Sequence, residues 1–342
     1  MDATDLKLRL VRSLARTPHA QLGVRLPALG EDLLFGPSEP FHAASVGKLA
    51  TATLIGQLID TGALGFGTRV TDVLGAVELQ GLFTDPDAVT IEHLLTHTSG
   101  IADYFDGKVT HGVPVAKEAV AHPQRRWTPA ELLAVSRERQ RPVGRPGEKF
   151  AYSDTGFVVL GRVLEEATGS SFEALVHDRI VTPLGLGSMF LPQRTTPATG
   201  SAEIAPAWLG RTEVSRFPSL TLDWAGGSIA ATSADWLAFG SALFGGHLVS
   251  PATLTELTRE RNRFHRGLRY GAGTMTVHFD GFAPWLGGWP RLVGHLGVTA
   301  AHLWHDPVSG ATITLNLGST RAMGRSFQTL FGVVSLLRKL RA

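Results

Sequence analysis

The stretch Ala43-Ala44-Ser45-Val46-Gly47-Lys48-Leu49-Ala50-Thr51-Ala52 opens an apolar segment that continues to Ile59. Its pattern predicts a helix, in which residues three apart lie on the same face. Ser45 would then lie in the first turn, where unpaired backbone N–H groups and the helix dipole favour a negative charge. Lys48 would be within proton-transfer reach of Ser45. This pair suits nucleophilic catalysis, although a capping serine followed by a solvated lysine would show the same spacing.

The composition is that of an ordinary globular protein. The chain has 342 residues, of which 43% are hydrophobic and 18% are charged, and its net charge is +2. A chain of this length forms one large domain or two. The near-neutral balance gives little support to nucleic-acid binding. The sequence contains no cysteine, which excludes disulfides, thiolate metal sites and a cysteine nucleophile.

The N-terminus and the hydropathy pattern bear on localisation. Residues 1–10 alternate charged residues with leucine and have no apolar core of the kind found in signal peptides. No stretch approaches the ~18 uninterrupted apolar residues that span a membrane. We therefore expect a soluble, cytoplasmic protein without membrane contact.

The order of predicted elements indicates the fold class. Strand patterns occur near both ends of the chain, and helices with long polar loops lie between them. This order predicts an α/β fold of the α+β type, with an antiparallel sheet flanked by helices. We expect a sheet domain from residues 1–75 and 218–342, and an inserted helical domain from residues 76–217. A cleft between the two is a favoured place for a ligand.

Several elements are predicted with explicit bounds. Residues 103–126 are rich in glycine, proline and charge, which predicts an irregular loop. Residues 269–277 are predicted as one continuous strand. Helices are predicted at residues 4–15, 45–62, 129–139, 154–168, 172–180, 235–244, 251–259 and 324–341.

Two further segments carry residue types that suit the same chemistry. Tyr152 precedes a predicted helix and lies in a loop, where a tyrosine is equally typical of a cleft rim or a partly buried core. His295 lies in a predicted strand between Gly294 and Gly297, and glycine within a strand often marks the close approach of a ligand or another backbone. A structural, hydrogen-bonded histidine is the alternative there.

Together these segments resemble the serine β-lactamase-like superfamily, in particular its class C branch. That branch contains family VIII carboxylesterases, D-aminopeptidases, penicillin-binding proteins and AmpC-type β-lactamases. Residues 45–48 (SVGK), 152–154 (YSD) and 295–297 (HLG) are similar to its three motifs, in the family's order. Further similar stretches are residues 90–101, 146–161, 167–185 and 225–239.

The resemblance implies a β-lactamase/transpeptidase-like fold and specific roles. Ser45 would be the nucleophile that forms an acyl-enzyme, and Lys48 and Tyr152 would be the proton carriers. Burial would disfavour the charged form of Lys48, whereas the negative charge of Asp154 would favour an ammonium there. The oxyanion hole would consist of the backbone N–H groups of Ser45 and Val298. Residues expected to contact substrate are Asp154, His295, Leu296 and Gly297. Orienting the pair of Lys48 and Tyr152 is the alternative role of His295. No metal or cofactor is implied.

Three departures from the family pattern bear on the substrate. Asp154 replaces an amide residue, Leu296 replaces a hydroxyl residue, and His295 replaces a lysine. All three weaken the case for substrates with a free carboxylate. They favour a neutral ester or a substrate that carries an amine, so we expect a carboxylesterase that acts on a small-molecule ester, or an enzyme that acts on a small-molecule amide.

Other activities and partners stay open. A D-specific peptidase or amidase, a weak β-lactamase or a catalytically silent binding protein are the alternatives, and a homo-oligomer is compatible with the sequence. A separate candidate nucleophile, Ser228, lies in a sequence that lacks the last glycine of the G-x-S-x-G elbow.

Overall fold

The computed structural model of the protein describes residue 9 and residues 19–341. Its main feature is an eight-stranded sheet in which every neighbouring pair is antiparallel. The strand order across the sheet is Asp32–Phe35, Gln21–Arg25, Thr312–Asn316, Ala301–His305, Leu292–Gly297, Met275–Val277, Leu268–Tyr270 and Asn262–His265. The predicted antiparallel sheet flanked by helices is confirmed.

Helices cover both faces of this sheet. The strand Ala301–His305 is buried at every position. Leu303 packs into the larger apolar core, whereas Trp304 packs into a second core with Val333 of the C-terminal helix. The helices of four or more residues are Lys48–Asp60, Thr71–Leu79, Ile91–Leu95, Val115–Ala121, Pro129–Arg139, Asp154–Thr168, Phe172–Val176, Trp224–Gly227, Ser233–Phe244, Pro251–Thr258, Phe279–Phe282 and Met323–Arg341.

The helix Lys48–Asp60 lies inside the protein. All but one of its residues from Lys48 to Leu58 are buried, which explains why it is apolar around nearly its whole circumference. The chain enters it through a 3-10 turn, Ala44–Gly47, so Ser45 lies just before the α-helix. The helix ends at Asp60, and Gly62 follows with a positive φ of 74°.

Most predicted helices are confirmed within a residue or two of their bounds. Pro129–Arg139 begins after the N-cap Thr128, and Asp154–Thr168 ends at Gly169, both as predicted. The helix predicted at 172–180 is wrong in its ending. Its backbone widens into a π-helical turn, His177–Val181, and a last short helix, Thr182–Leu184, contains Pro183. Proline is tolerated there because the first turn of a helix needs no N–H from it.

Three other elements differ from the prediction. The segment 103–126 contains the helix Val115–Ala121. The predicted strand 269–277 is a hairpin of two strands that join at residues 271–274, and the edge strand Asn262–His265 was not predicted. The helix predicted at 4–15 lies outside the described residues except for Arg9.

The sheet takes its strands from the two ends of the chain, as the predicted domain division requires. The division itself into residues 1–75 with 218–342 and 76–217 stays a prediction. Among the described residues, no helix is long and apolar enough to cross a membrane.

Candidate active site

Ser45 and Lys48 lie where the buried helix begins. Lys48 is fully buried, and its Nζ donates a hydrogen bond to Ser45 Oγ at 3.1 Å. The same ammonium group donates to Asp154 Oδ1 and, at 2.6 Å, to the carbonyl oxygen of Gly226. All three N–H bonds of a charged Lys48 are therefore used.

Two glycines allow this close packing. A Cβ on Gly47 would lie 2.8 Å from Gly227 Cα, so the backbones of the two segments touch there. This contact holds the carbonyl group of Gly226 above Lys48. Position 47 must therefore be glycine, because the backbone at Gly227 leaves no space for a side chain there.

The segment that carries Tyr152 and Asp154 is fixed by the preceding loop. The Ser153 N–H donates to His97 Nδ1 at 3.1 Å, and the Asp154 N–H donates to Asp103 Oδ1 at 2.9 Å. Asp154 is the first residue of its helix, and its side chain turns towards Lys48. The Tyr152 phenol interacts with the Ser45 hydroxyl, and Lys48 Nζ lies 5.1 Å from the Tyr152 ring centroid.

The strand Leu292–Gly297 completes the arrangement. A Cβ on Gly297 would collide with the carbonyl oxygen of Ala43, so only glycine lets the strand approach the Ser45 turn so closely. Val298 follows at the cavity surface and is 39% exposed. Within the described residues, the backbone N–H groups of Ser45 and Val298 have no hydrogen-bond acceptor. Two unpaired donors beside Ser45 suit a developing oxyanion.

A cavity of about 470 Å³ opens at Ser45. Tyr152, Asp154, Leu296 and Val298 line it, so four of the predicted site residues reach its surface together with Ser45. Its remaining lining residues are Ala44, Asp103, Phe105, Asp106, Asp223, Phe264, His265, Leu268, Met275, Phe282, Met323 and Phe327.

The charge state of Lys48 differs from the expectation. Burial alone would lower its pKa, but the carboxylates of Asp154 and Asp223 outweigh burial, and the pKa lies above the ordinary value of 10.5. Burial therefore does not keep Lys48 neutral in the resting site, and the pKa shift has the direction expected from Asp154, which favours an ammonium. Burial and the charge of Asp154 also raise the pKa of Tyr152 well above 10, so its phenol is neutral at rest.

His295 does not line the cavity, and its expected substrate contact stays a prediction. Its side chain is fully buried, and its Nε2 lies 3.2 Å from the hydroxyl of Tyr270. Its Nδ1 lies 2.8 Å from the carbonyl oxygen of Leu296. Burial and the nearby Lys48 charge lower the pKa of His295 to about 3, so the ring is neutral. Gly297 is also buried, and it contacts the Ala43 backbone.

His295 belongs to a buried polar chain that sequence reasoning missed. The Ser153 N–H occupies His97 Nδ1, so His97 Nε2–H donates to Tyr270 Oη at 2.9 Å. Because His295 Nδ1–H donates to a carbonyl group, its Nε2 accepts a hydrogen bond from the Tyr270 hydroxyl group. Burial and the Lys48 charge hold the pKa of His97 well below 6.5, which keeps it neutral as this pattern requires.

Asp223 is a second residue that the sequence analysis missed. Its carboxyl group lines the cavity and has no hydrogen-bond partner among the described residues. His42 Nε2 lies 3.8 Å away, but burial lowers the pKa of His42 to about 4, so this imidazole is neutral. Burial and the charge of Asp154 raise its pKa to about 7, although Lys48 opposes the shift. Ser228, the rejected nucleophile, is fully buried and lies away from the cavity.

Comparison with known proteins identifies the family of this arrangement. A model of the Beta-lactamase family matches residues 20–324. The chain belongs to the Beta-lactamase family. The resemblance to the serine β-lactamase-like superfamily is thereby confirmed.

Individual relatives are penicillin-binding proteins, esterases and amidases. Penicillin-binding protein 4 of Amycolatopsis lactamdurans is 38% identical over 162 residues, which are 45% of this chain and 36% of that protein. Esterase EstB of Burkholderia gladioli is 30% identical over 155 residues, or 43% of this chain and 37% of the esterase. The chain therefore spans just over a third of these two curated relatives. A D-stereospecific amidohydrolase structure from Streptomyces sp. superimposes with a TM-score of 0.76 and 25% identity, covering 94% of this chain and 95% of the amidohydrolase.

Proposed function

We propose that this member of the Beta-lactamase family is a serine hydrolase of the carboxylesterase type, with Ser45 as the nucleophile. The observation that carries this proposal is the hydrogen bond of 3.1 Å between Lys48 Nζ and Ser45 Oγ, beside a cavity lined by Ser45 and Val298, whose backbone N–H groups are unpaired among the described residues. Family membership and an esterase relative support the same reaction class.

The reaction proceeds in two steps through an ester on Ser45. Ser45 Oγ attacks the substrate carbonyl carbon, and its proton passes to the coupled pair of Lys48 and Tyr152. The N–H groups of Ser45 and Val298 stabilise the oxyanion, and the pair returns the proton to the leaving alcohol. Water then attacks the acyl-Ser45 carbonyl carbon along the same proton path and releases the acid.

The resting charges decide what this pair must do first. An ammonium whose three N–H bonds are all donated cannot accept another proton, and a neutral phenol is a weak base. The pair must therefore lose one proton before Ser45 is activated. The negative charge of Asp154 opposes that loss because it raises the pKa of both Lys48 and Tyr152.

The cavity wall favours neutral, apolar substrates. Most of its surface comes from aromatic and aliphatic side chains, namely Phe105, Phe264, Leu268, Met275, Phe282, Leu296, Met323 and Phe327. The described residues that line the cavity include four aspartates and no lysine or arginine. A carboxylate-bearing substrate, such as a β-lactam or a peptide with a free C-terminus, would need a cationic partner that this lining lacks. A neutral ester would not.

Asp223 supports a second candidate, the hydrolysis of an amide that carries a free amine. A cavity-lining carboxyl group without a hydrogen-bond partner suits an alkylammonium group near the scissile bond. The D-amino acid amides are such substrates. Asp223→Asn should then weaken D-phenylalaninamide hydrolysis and leave an ester of similar size unaffected.

Steady-state hydrolysis by the wild type and Ser45→Ala tests the main proposal. The substrates are p-nitrophenyl butyrate, D-phenylalanine p-nitroanilide and the β-lactam nitrocefin. We expect ester hydrolysis that Ser45→Ala abolishes, with slower or no turnover of the β-lactam. Folded wild type that cleaves none of the three substrates faster than Ser45→Ala does would refute a hydrolase and favour a silent binding protein.

A further inference from the structure

A second cavity lies beside the one that opens at Ser45. It has a volume of about 450 Å³, and its lining is mostly apolar. Half of its lining residues lie on the helix Val115–Ala121. The lining residues are Phe105, Ala116, Lys117, Val120, Ala121, Leu209, Val298 and Thr320.

The two cavities share a wall beside the expected oxyanion hole. Phe105 and Val298 line both of them. The backbone N–H of Val298 has no acceptor among the described residues, and the side chain is 39% exposed. A carbonyl group bound to this N–H would therefore have one apolar cavity on each side of Val298. An ester has two substituents that diverge from its carbonyl carbon, and a two-chambered site matches that shape.

The position of Ser45 decides which substituent enters which cavity. Ser45 lines the first cavity but not the second. The acyl group stays bound to Ser45 after the first step, so it must fit the cavity that Ser45 lines. The alcohol must leave while the acyl group remains in place. We propose that the second cavity binds the apolar part of the alcohol half of the ester, an inference that rests on the proposed acyl-Ser45 chemistry.

This assignment gives the second cavity a role in both directions of the first step. In the forward direction the Ser45 Oγ–carbonyl bond forms, the bond to the alcohol oxygen breaks, and that oxygen takes the proton that Ser45 gave up. In reverse, an alcohol in the second cavity attacks acyl-Ser45, its proton returns through Lys48 and Tyr152 to Ser45 Oγ, and an ester forms. The cavity that releases an alcohol therefore also accepts one in place of water.

Filling the second cavity tests the assignment. Ala116→Phe places a ring inside it, and Ala121→Phe, at an exposed position, is a second filling variant should the first disturb the helix. Ala88→Phe is the matched control, because Ala88 is exposed and lines neither cavity. Each enzyme is given p-nitrophenyl butyrate with benzyl alcohol or with methanol, and butyrate and the butyryl esters are separated by chromatography.

We expect the wild type and Ala88→Phe to form benzyl butyrate with saturation in benzyl alcohol. Loss of a pocket contact changes such discrimination by about 10–200-fold, so Ala116→Phe should lower the ratio of benzyl butyrate to butyrate at least about tenfold. Its ratio of methyl butyrate to butyrate should stay unchanged, because methanol does not need the cavity. Equal benzyl transfer by both filling variants and the control, with acylation intact, would overturn the assignment. Wild type that forms no acyl-Ser45 would instead refute the proposed function.

Discussion

Asp154→Asn should move the pH dependence of activity towards lower pH. Asp154 contacts Lys48 directly, and its charge raises the pKa of both Lys48 and Tyr152. An opposite charge at contact distance shifts a pKa by about 1–3 units. The asparagine keeps the size and a hydrogen-bond acceptor but removes the charge. Burial then dominates at Lys48 and favours the neutral amine.

The assay is kcat/KM for p-nitrophenyl butyrate across the pH range, since this ratio reports ionisations of the free enzyme. We expect the ascending limb to move down by about 1–3 pH units, equivalent to about 1.4 kcal/mol per unit. Asp106→Asn is the control, because this exposed cavity aspartate is not among the groups that shift Lys48. A limb that stays in place in Asp154→Asn, or moves to higher pH, would refute the electrostatic reasoning.

Three further predictions follow from the buried groups. The pKa of Asp223 is raised from 3.8 to about 7, so its protonated form adds stability that is present below pH 3.8 and lost as pH rises through 7. In urea unfolding, the free energy of unfolding of Asp223→Asn should therefore rise relative to that of the wild type between pH 4 and pH 8, by up to about 4 kcal/mol at about 1.4 kcal/mol per pKa unit. A difference that does not change with pH would contradict this. Tyr270→Phe leaves His97 Nε2–H and His295 Nε2 unpaired, so it should reduce the free energy of unfolding by about 1–3 kcal/mol per unpaired group and lower kcat more than it changes KM. A loss of stability at unchanged kcat would mean that Tyr270 is only structural. Gly297→Ala should force the strand away from Ala43 and thereby slow fluorophosphonate labelling of Ser45 by about 10²–10³-fold, with circular dichroism showing that the variant is folded. Labelling at the wild-type rate would show that the Val298 N–H does not act on the oxyanion.

The sequence predicted the site through short-range patterns. Capping residues such as Thr128 and terminating glycines such as Gly169 act over a few residues, so helix bounds could be derived from them. The Ser45–Lys48 contact follows from a spacing of three. The prediction that Tyr152 lies at the same site rested on family resemblance rather than on spacing.

Properties that depend on long-range packing could not be predicted. The family pattern allowed the effect of Asp154 on the charge of Lys48 to be predicted. The contribution of Asp223, which is over a hundred residues away from Lys48 in the chain, could not be predicted. His295 lies in a strand of the predicted kind, but its burial depends on Tyr270, which belongs to another strand. The hairpin within 269–277 depends on Gly273, whose φ of 76° breaks a strand that its flanking residues would otherwise continue.

Trapping the covalent intermediate tests the central claim most directly. The protein is mixed with p-nitrophenyl butyrate, quenched in acid within the burst phase, digested and examined by peptide mass spectrometry. We predict one butyryl group on the peptide that contains Ser45, with no adduct in Ser45→Ala and a strongly reduced amount in Lys48→Ala. A butyryl group on any other residue, or ester turnover that persists in Ser45→Ala, would contradict the account.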